Sequence, residues 1–136
     1  MRVIDANVAL AWAVPSTLNP AALDLLSKPY ELIAPTLLVH EVTNACRLMV
    51  RQNHVGIETA DAIRRNALAP ISLAFNDAAL AARALAIATE LDHPAYDAFY
   101  IAAAEAADTQ LVTADRRLLT KTAGSAYADR VIELGC

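Results

Sequence analysis

Glycine is nearly absent: three residues in 136, at Gly56, Gly124 and Gly135. Neither a G-x-G-x-x-G turn nor a Walker loop can be assembled from them, which argues against a nucleotide cofactor. Cysteine is as scarce. Cys46 and Cys136 have no Cys or His at ligand spacing, so a disulfide or a thiolate metal site is not expected. Cys46 reads as a helix-core residue. No apolar run approaches the ~20 residues that cross a bilayer. The opening Met1-Arg2-Val3-Ile4-Asp5 carries an early acid and lacks the shape of a signal peptide. A cytoplasmic protein without a membrane partner is expected. An excess of positive charge is also missing. Eleven basic residues face 15 acidic ones, for a net charge of −4, which argues against broad nonspecific nucleic-acid binding. Two bound divalent ions would bring that charge to zero, so it does not exclude a nuclease.

The length fits one domain spanning residues 1–136. Apolar residues make up 57% of the chain, above the usual globular share. Two readings are open: a surface covered by a second copy or a stable partner, or simply Ala-rich helices.

Turn signals divide the chain into alternating strands and helices. Strands are expected at Arg2–Asp5, Leu32–Ala34, Ile71–Ala74, Gln110–Thr113 and Val131–Leu134. Helices are expected at Ala6–Trp12, Asn19–Ser27, Pro35–Arg51, Ile57–Leu68, from Asn76 or Asp77 to Leu91, from His93-Pro94 to about Ala107, and from Asp115 to about Lys121. Asn19 is read as a helix cap with Pro20 in the first turn. Such alternation predicts an α/β fold with a mostly parallel central sheet flanked by helices.

Four acids sit in apolar surroundings far apart in the chain: Asp5, Glu41, Asp97 and Asp115. An ionised carboxylate is costly to bury without a partner, and no Lys or Arg is spaced to neutralise all four. A divalent cation with oxygen ligands is the simplest partner, which points to metal-dependent chemistry on phosphate. Open α/β sheets bind ligands at the carboxyl ends of their strands. Asp5 ends the first strand there, and Asp115 follows the fourth. Glu41 is the one acid on an apolar helix stripe. Each also has a plainer role: Asp5 and Asp115 as helix caps, Asp97 as an N-terminal helix charge.

Four segments carry a resemblance. Val3-Ile4-Asp5-Ala6-Asn7-Val8-Ala9-Leu10 resembles the first acidic motif of the PIN-domain ribonucleases of VapC toxin type. Pro35 through Glu41-Val42 with Asn44 is similar to the second. His93-Pro94-Ala95-Tyr96-Asp97-Ala98-Phe99-Tyr100 resembles the third, and Leu111-Val112-Thr113-Ala114-Asp115-Arg116-Arg117-Leu118 the fourth. The resemblance spans nearly the whole chain, with all four acids in order. It implies the PIN-like α/β fold and Mg²⁺- or Mn²⁺-dependent endonucleolytic cleavage of RNA. It also implies a VapB-like antitoxin that blocks the site, a homodimer, and operator DNA bound only through the antitoxin.

Within that resemblance Asp5 and Asp97 are the principal metal ligands, with Glu41 and Asp115 completing the cluster around one or two ions. Asn7 and Thr113 are candidate hydrogen-bond donors to the carboxylates, or else a helix cap and an ordinary strand residue. Arg116 and Arg117 either grip substrate phosphate or are solvated helix charges. His93 is assigned to the turn before Pro94, because hard cations prefer oxygen. Trp12, with Leu10 and Val14, is either core or an exposed apolar patch. Arg47, Arg51, Arg64 and Arg65 belong to a helical arm around Gly56. Two rivals remain open: a PIN-domain nuclease outside any toxin pair, and an inactive binding module stabilised by metal.

Overall fold

Five short strands lie side by side in one sheet: β1 (Arg2–Ile4), β2 (Leu32–Pro35), β3 (Ile71–Phe75), β4 (Leu111–Thr113) and β5 (Val131–Glu133). They come from a computed structural model that describes every residue from Met1 to Cys136. The sheet order is β3-β2-β1-β4-β5, and every neighbouring pair runs parallel. Parallel neighbours need crossover connections, and helices supply them. These are α1 (Ala6–Ala13), α2 (Asn19–Ser27), α3 (Leu37–Arg51), α4 (Ile57–Leu68), α5 (Asp77–Leu91), α6 (Ala95–Ala106) and α7 (Arg116–Thr122). The α/β architecture expected from the sequence is therefore present, and the sheet is wholly rather than mostly parallel.

The handedness of crossovers places the helices. Right-handed connections stepping from β1 to β2 to β3 put α1 to α4 on one face. The return from β3 to β4 and on to β5 puts α5, α6 and α7 on the other. α1 accordingly packs against α2, α3 and α4, while α5 pairs with α6, which lies across β1, β2 and β4. The strands between these layers are apolar: β2 and β4 are buried at every residue, and β1 at Val3 and Ile4. Edge strand β3 is the exception, with Ser72, Leu73 and Ala74 exposed.

The direction of the crossovers reverses at β1. Chain growth runs outward through β2 and β3, then returns to the other side of β1 as β4. Such a reversal leaves a crevice at the carboxyl ends of the two strands, because their following connections part to opposite faces. Asp5 follows β1 and Ala114-Asp115 follow β4 at that crevice.

Local details differ from the sequence reading at two helix starts. Asn19 does not cap α2; Leu18 holds that position, and the Asn19 amide donates instead to the Ala11 carbonyl at 2.9 Å, tying α2 to α1. Pro35 closes β2 rather than opening α3. α3 begins at Leu37, whose N–H donates to Asp77 Oδ1 at 2.9 Å. A carboxylate from the start of α5 thus satisfies a free N–H at the start of α3, one turn before Glu41. Trp12 is core, its indole N–H donating to the Ala67 carbonyl at 3.2 Å. Leu10 and Val14 are only half-buried and line a groove with Met49. Cys46 is buried on α3 as expected. No helix is long and apolar enough to cross a membrane.

Candidate active site

Strand register brings the first pair together. Val3 pairs with Leu111 and Ile4 with Val112, so Asp5 comes level with Thr113. The Thr113 hydroxyl donates to Asp5 Oδ2 at 2.5 Å, and its oxygen accepts from the Asp115 N–H at 3.1 Å. The other carboxylate oxygen of Asp5 accepts from the Val8 N–H at 3.1 Å and caps α1. Asp5 is only 6% exposed. Burial pushes its carboxyl up to about 7 from 3.8, and the charges of Asp97 and Glu41 add to the rise, against the lowering effect of the Thr113 and Val8 hydrogen bonds.

The other two acids of this group arrive on helices. α6 crosses β1 and β2 with Asp97 in its first turn and Tyr100 three residues on, on the same side. The Tyr100 hydroxyl donates to Glu41 Oε1 at 2.5 Å. Tyr100 is essentially inaccessible. Burial first, then the charges of Glu41, Asp5 and Asp97, hold its hydroxyl far above the ordinary tyrosine range. Glu41 is raised as well, mainly by burial and further by Asp97, while the Tyr100 hydrogen bond lowers it. Asp97 Oδ2 lies 2.5 Å from His93 Nε2.

Three of the four expected acids, Asp5, Glu41 and Asp97, therefore share one region around Tyr100 and feel one another's charge. Asp115 stands apart. Its Oδ1 accepts from the N–H groups of Arg117 at 2.9 Å and Leu118 at 3.3 Å, which is its plainer role as the cap of α7. As the side chains are placed, no three His, Cys, Asp or Glu groups stand close enough to hold a metal ion. Each acid is instead engaged by a private protein donor: Thr113, Tyr100, His93 or the start of α7.

The donor set nevertheless fits a hard divalent cation. No lysine or arginine forms an ion pair with any of the four acids. Asp5 in particular is a carboxyl whose affinity for a proton is raised by burial and by the charges of Asp97 and Glu41, with no Lys or Arg paired to it to offset them. Hard oxygen donors and no thiolate suit Mg²⁺ or Mn²⁺ better than a soft metal.

The remaining expected residues are scattered around this centre. Asn7 is exposed, makes no side-chain hydrogen bond and lines the groove of Leu10 and Met49. Arg116 is exposed and paired with Glu133 at 3.1 Å. Arg64 and Arg65 on α4 are paired with Asp61. Sequence reasoning missed two members. Tyr100 appears in the sequence reading only as the end of the third motif, with no role, although it shares the helical face of Asp97 three residues on. His93 was assigned to a turn, yet it sits four residues before Asp97 and reaches its carboxylate.

The chain belongs to the PIN-domain family, whose model matches residues 2–124. Among solved structures it is similar to the protein PAE2754 from Pyrobaculum aerophilum, with 26% identity, a TM-score of 0.71, and coverage of 98% of this chain and 83% of that one. It shares its fold with a chain of a toxin–antitoxin complex from Klebsiella pneumoniae, with 17% identity, a TM-score of 0.68, and coverage of 97% and 96%. Among curated proteins, none matches in sequence.

Proposed function

We propose that the chain, taken as one PIN domain over residues 1–136, is a metal-dependent endoribonuclease of VapC type and the toxin of a toxin–antitoxin pair. The observation that carries the chemistry is the group of Asp5, Glu41 and Asp97 around Tyr100, with both Asp5 and Glu41 raised and no cation facing them. Family membership and the fold shared with a chain of a toxin–antitoxin complex support the biological role. A VapB-like antitoxin, a homodimer, and operator DNA reached through the antitoxin belong to the same reading.

Asp5, Glu41 and Asp97 would hold Mg²⁺ or Mn²⁺, with Asp115 joining directly or through water. When bound, the ion would activate water and offset charge on the phosphate during hydrolysis. The chain's own residues prepare the site. Thr113 fixes the rotamer of Asp5 while its backing hydrogen bond to Asp115 N–H holds the start of α7 against β4. Tyr100 fixes Glu41, and His93 fixes Asp97. Support of this kind sets how well carboxylates present their oxygens.

A second reading has one observation in its favour. Because every acid already has a protein donor, a PIN domain that binds without cutting is compatible with the geometry. Purified, antitoxin-free protein incubated with structured RNAs separates the two. Discrete cuts that require Mg²⁺ or Mn²⁺, stop with EDTA and vanish in Asp97→Asn are expected. Metal-independent cuts, or cuts that persist in Asp97→Asn, would remove this site from the activity. Growth arrest on expression, relieved by an adjacent small reading frame, separates a toxin from a processing nuclease.

A further inference from the structure

Next to the acids lies a feature that the chemistry above does not use. The turn between α5 and α6 (Asp92, His93, Pro94) and one side of α7 (Arg116, Arg117, Thr120, Lys121) bound an open cleft of about 430 Å³. Apart from the Pro94 ring, only polar and charged side chains line it, the His93 imidazole among them. Three cations face one carboxylate there, in a chain of net charge −4. The topology accounts for this meeting, because α5, α6 and α7 all belong to crossovers on the same face of the sheet. His93 joins the cleft to the acid group, since its ring also touches Asp97.

The cations are not equivalent. Arg116 is committed to Glu133. Arg117 and Lys121 form no ion pair, and they lie four residues apart on α7, hence on one side of it. Arg117, in the first turn of α7, has no evident role in stability, since a positive charge there opposes the helix dipole, whereas Lys121 in the last turn complements that dipole. Together they suit a run of phosphates. A protein partner would be expected to bring an apolar centre to its contact, and this cleft offers nothing to receive one.

We infer that the α7 cleft holds the phosphate backbone of a single-stranded RNA segment next to the scissile position, with Arg117 and Lys121 as its two phosphate contacts. The inference rests on the ribonuclease reading and adds the path of the strand. A single strand or loop is favoured over a duplex because it bends into a short cleft and brings one phosphate to the acids.

Binding is measured by fluorescence anisotropy with a fluorescein-labelled, mixed-sequence, single-stranded RNA of twelve nucleotides, in EDTA and over a range of salt. Without metal the RNA is not consumed, so the result is independent of cleavage. Arg117→Ala/Lys121→Ala, altered only at exposed positions, is compared with wild type and with Lys28→Ala, a lysine just after α2 that pairs with Asp24 and does not line the cleft. Affinity should fall at least about tenfold in the double variant, and its log–log salt slope should flatten by about 1.4, two single-strand phosphate contacts at ~0.7 each. Lys28→Ala should bind as wild type does. Equal affinity and slope in the double variant, or no binding by wild type, would overturn the assignment. So would displacement of the RNA by polyglutamate as readily as by unlabelled RNA, which would give the cleft to an acidic protein segment. Wild type that binds through the cleft yet never cuts with Mg²⁺ or Mn²⁺ would keep the strand path and remove the enzyme.

Discussion

Tyr100 donates its hydroxyl to Glu41 at 2.5 Å from the helix that also carries Asp97. One aromatic side chain thereby links two acids from distant parts of the chain, α3 and α6. Its own proton is held tightly, first by burial and then because ionisation would add a negative charge beside Glu41, Asp5 and Asp97.

Tyr100→Phe keeps the ring and removes only the donor. Glu41 then loses the hydrogen bond that lowers its pKa and is free to rotate. Stability should fall by about 1–2 kcal/mol, the cost of leaving a half-buried acceptor unmet. Affinity for Mn²⁺ should fall by about 10–100-fold, as when support for a metal ligand is lost. Denaturant titration and Mn²⁺ binding check the two halves separately; a stability loss with unchanged Mn²⁺ affinity would make Tyr100 purely structural.

The buried carboxyl of Asp5 gives the metal-free protein a pH dependence of definite sign. The folded form keeps its proton up to about pH 7, whereas the ordinary value is 3.8. Between those values the folded state binds more protons, so stability is full below about pH 4 and is lost as pH rises through 7. At ~1.4 kcal/mol per pKa unit the loss amounts to a few kcal/mol. In EDTA, Tm should be lower at pH 8 than at pH 5. Asp5→Asn should remove most of that difference and raise Tm at pH 8 by roughly 5 °C or more, while abolishing cleavage. A wild-type Tm that rises from pH 5 to pH 8 would show that Asp5 is not buried as described.

Asp115 has one observed duty and one proposed. Its Oδ1 caps α7, which Asn can also do, and its charge belongs to the proposed metal group, which Asn cannot supply. Asp115→Asn should leave stability within about 0.5 kcal/mol of wild type, and Asp115→Ala should cost about 1 kcal/mol. Both should lose cleavage activity if the charge takes part. Full activity in Asp115→Asn would restrict this residue to its cap.

Much of the fold was legible because strands and helices announced themselves through period and punctuation. β4, for instance, is a three-residue buried strand between Gln110 and Ala114, just before the Asp115 cap. Helix starts were less legible where the partner came from elsewhere. Nothing local to Leu37 tells that Asp77, forty residues on, meets its N–H, and nothing local to Asn19 tells that it reaches Ala11. The site followed the same division. Asp5, Glu41 and Asp97 stood out as acids in apolar sequence, and the switch in strand order brings them near one another. Which donor each acid takes depends on register and helix crossing. Thr113 meets Asp5 only because Ile4 pairs with Val112, and Tyr100 meets Glu41 only because α6 lies over β1 and β2.

The claim at the centre of this account is that Asp5, Glu41 and Asp97 hold a divalent ion together. Calorimetric titration of Mn²⁺ into metal-free wild type, Asp5→Asn, Asp97→Asn and Asp61→Asn tests it without any assumption about substrate. Asp61 serves as a surface carboxylate paired with Arg64 and Arg65. Wild type and Asp61→Asn should bind alike, and the other two should bind at least about tenfold more weakly, since each has lost a charged oxygen donor. Equal binding by all four proteins, or none by wild type, would contradict the account.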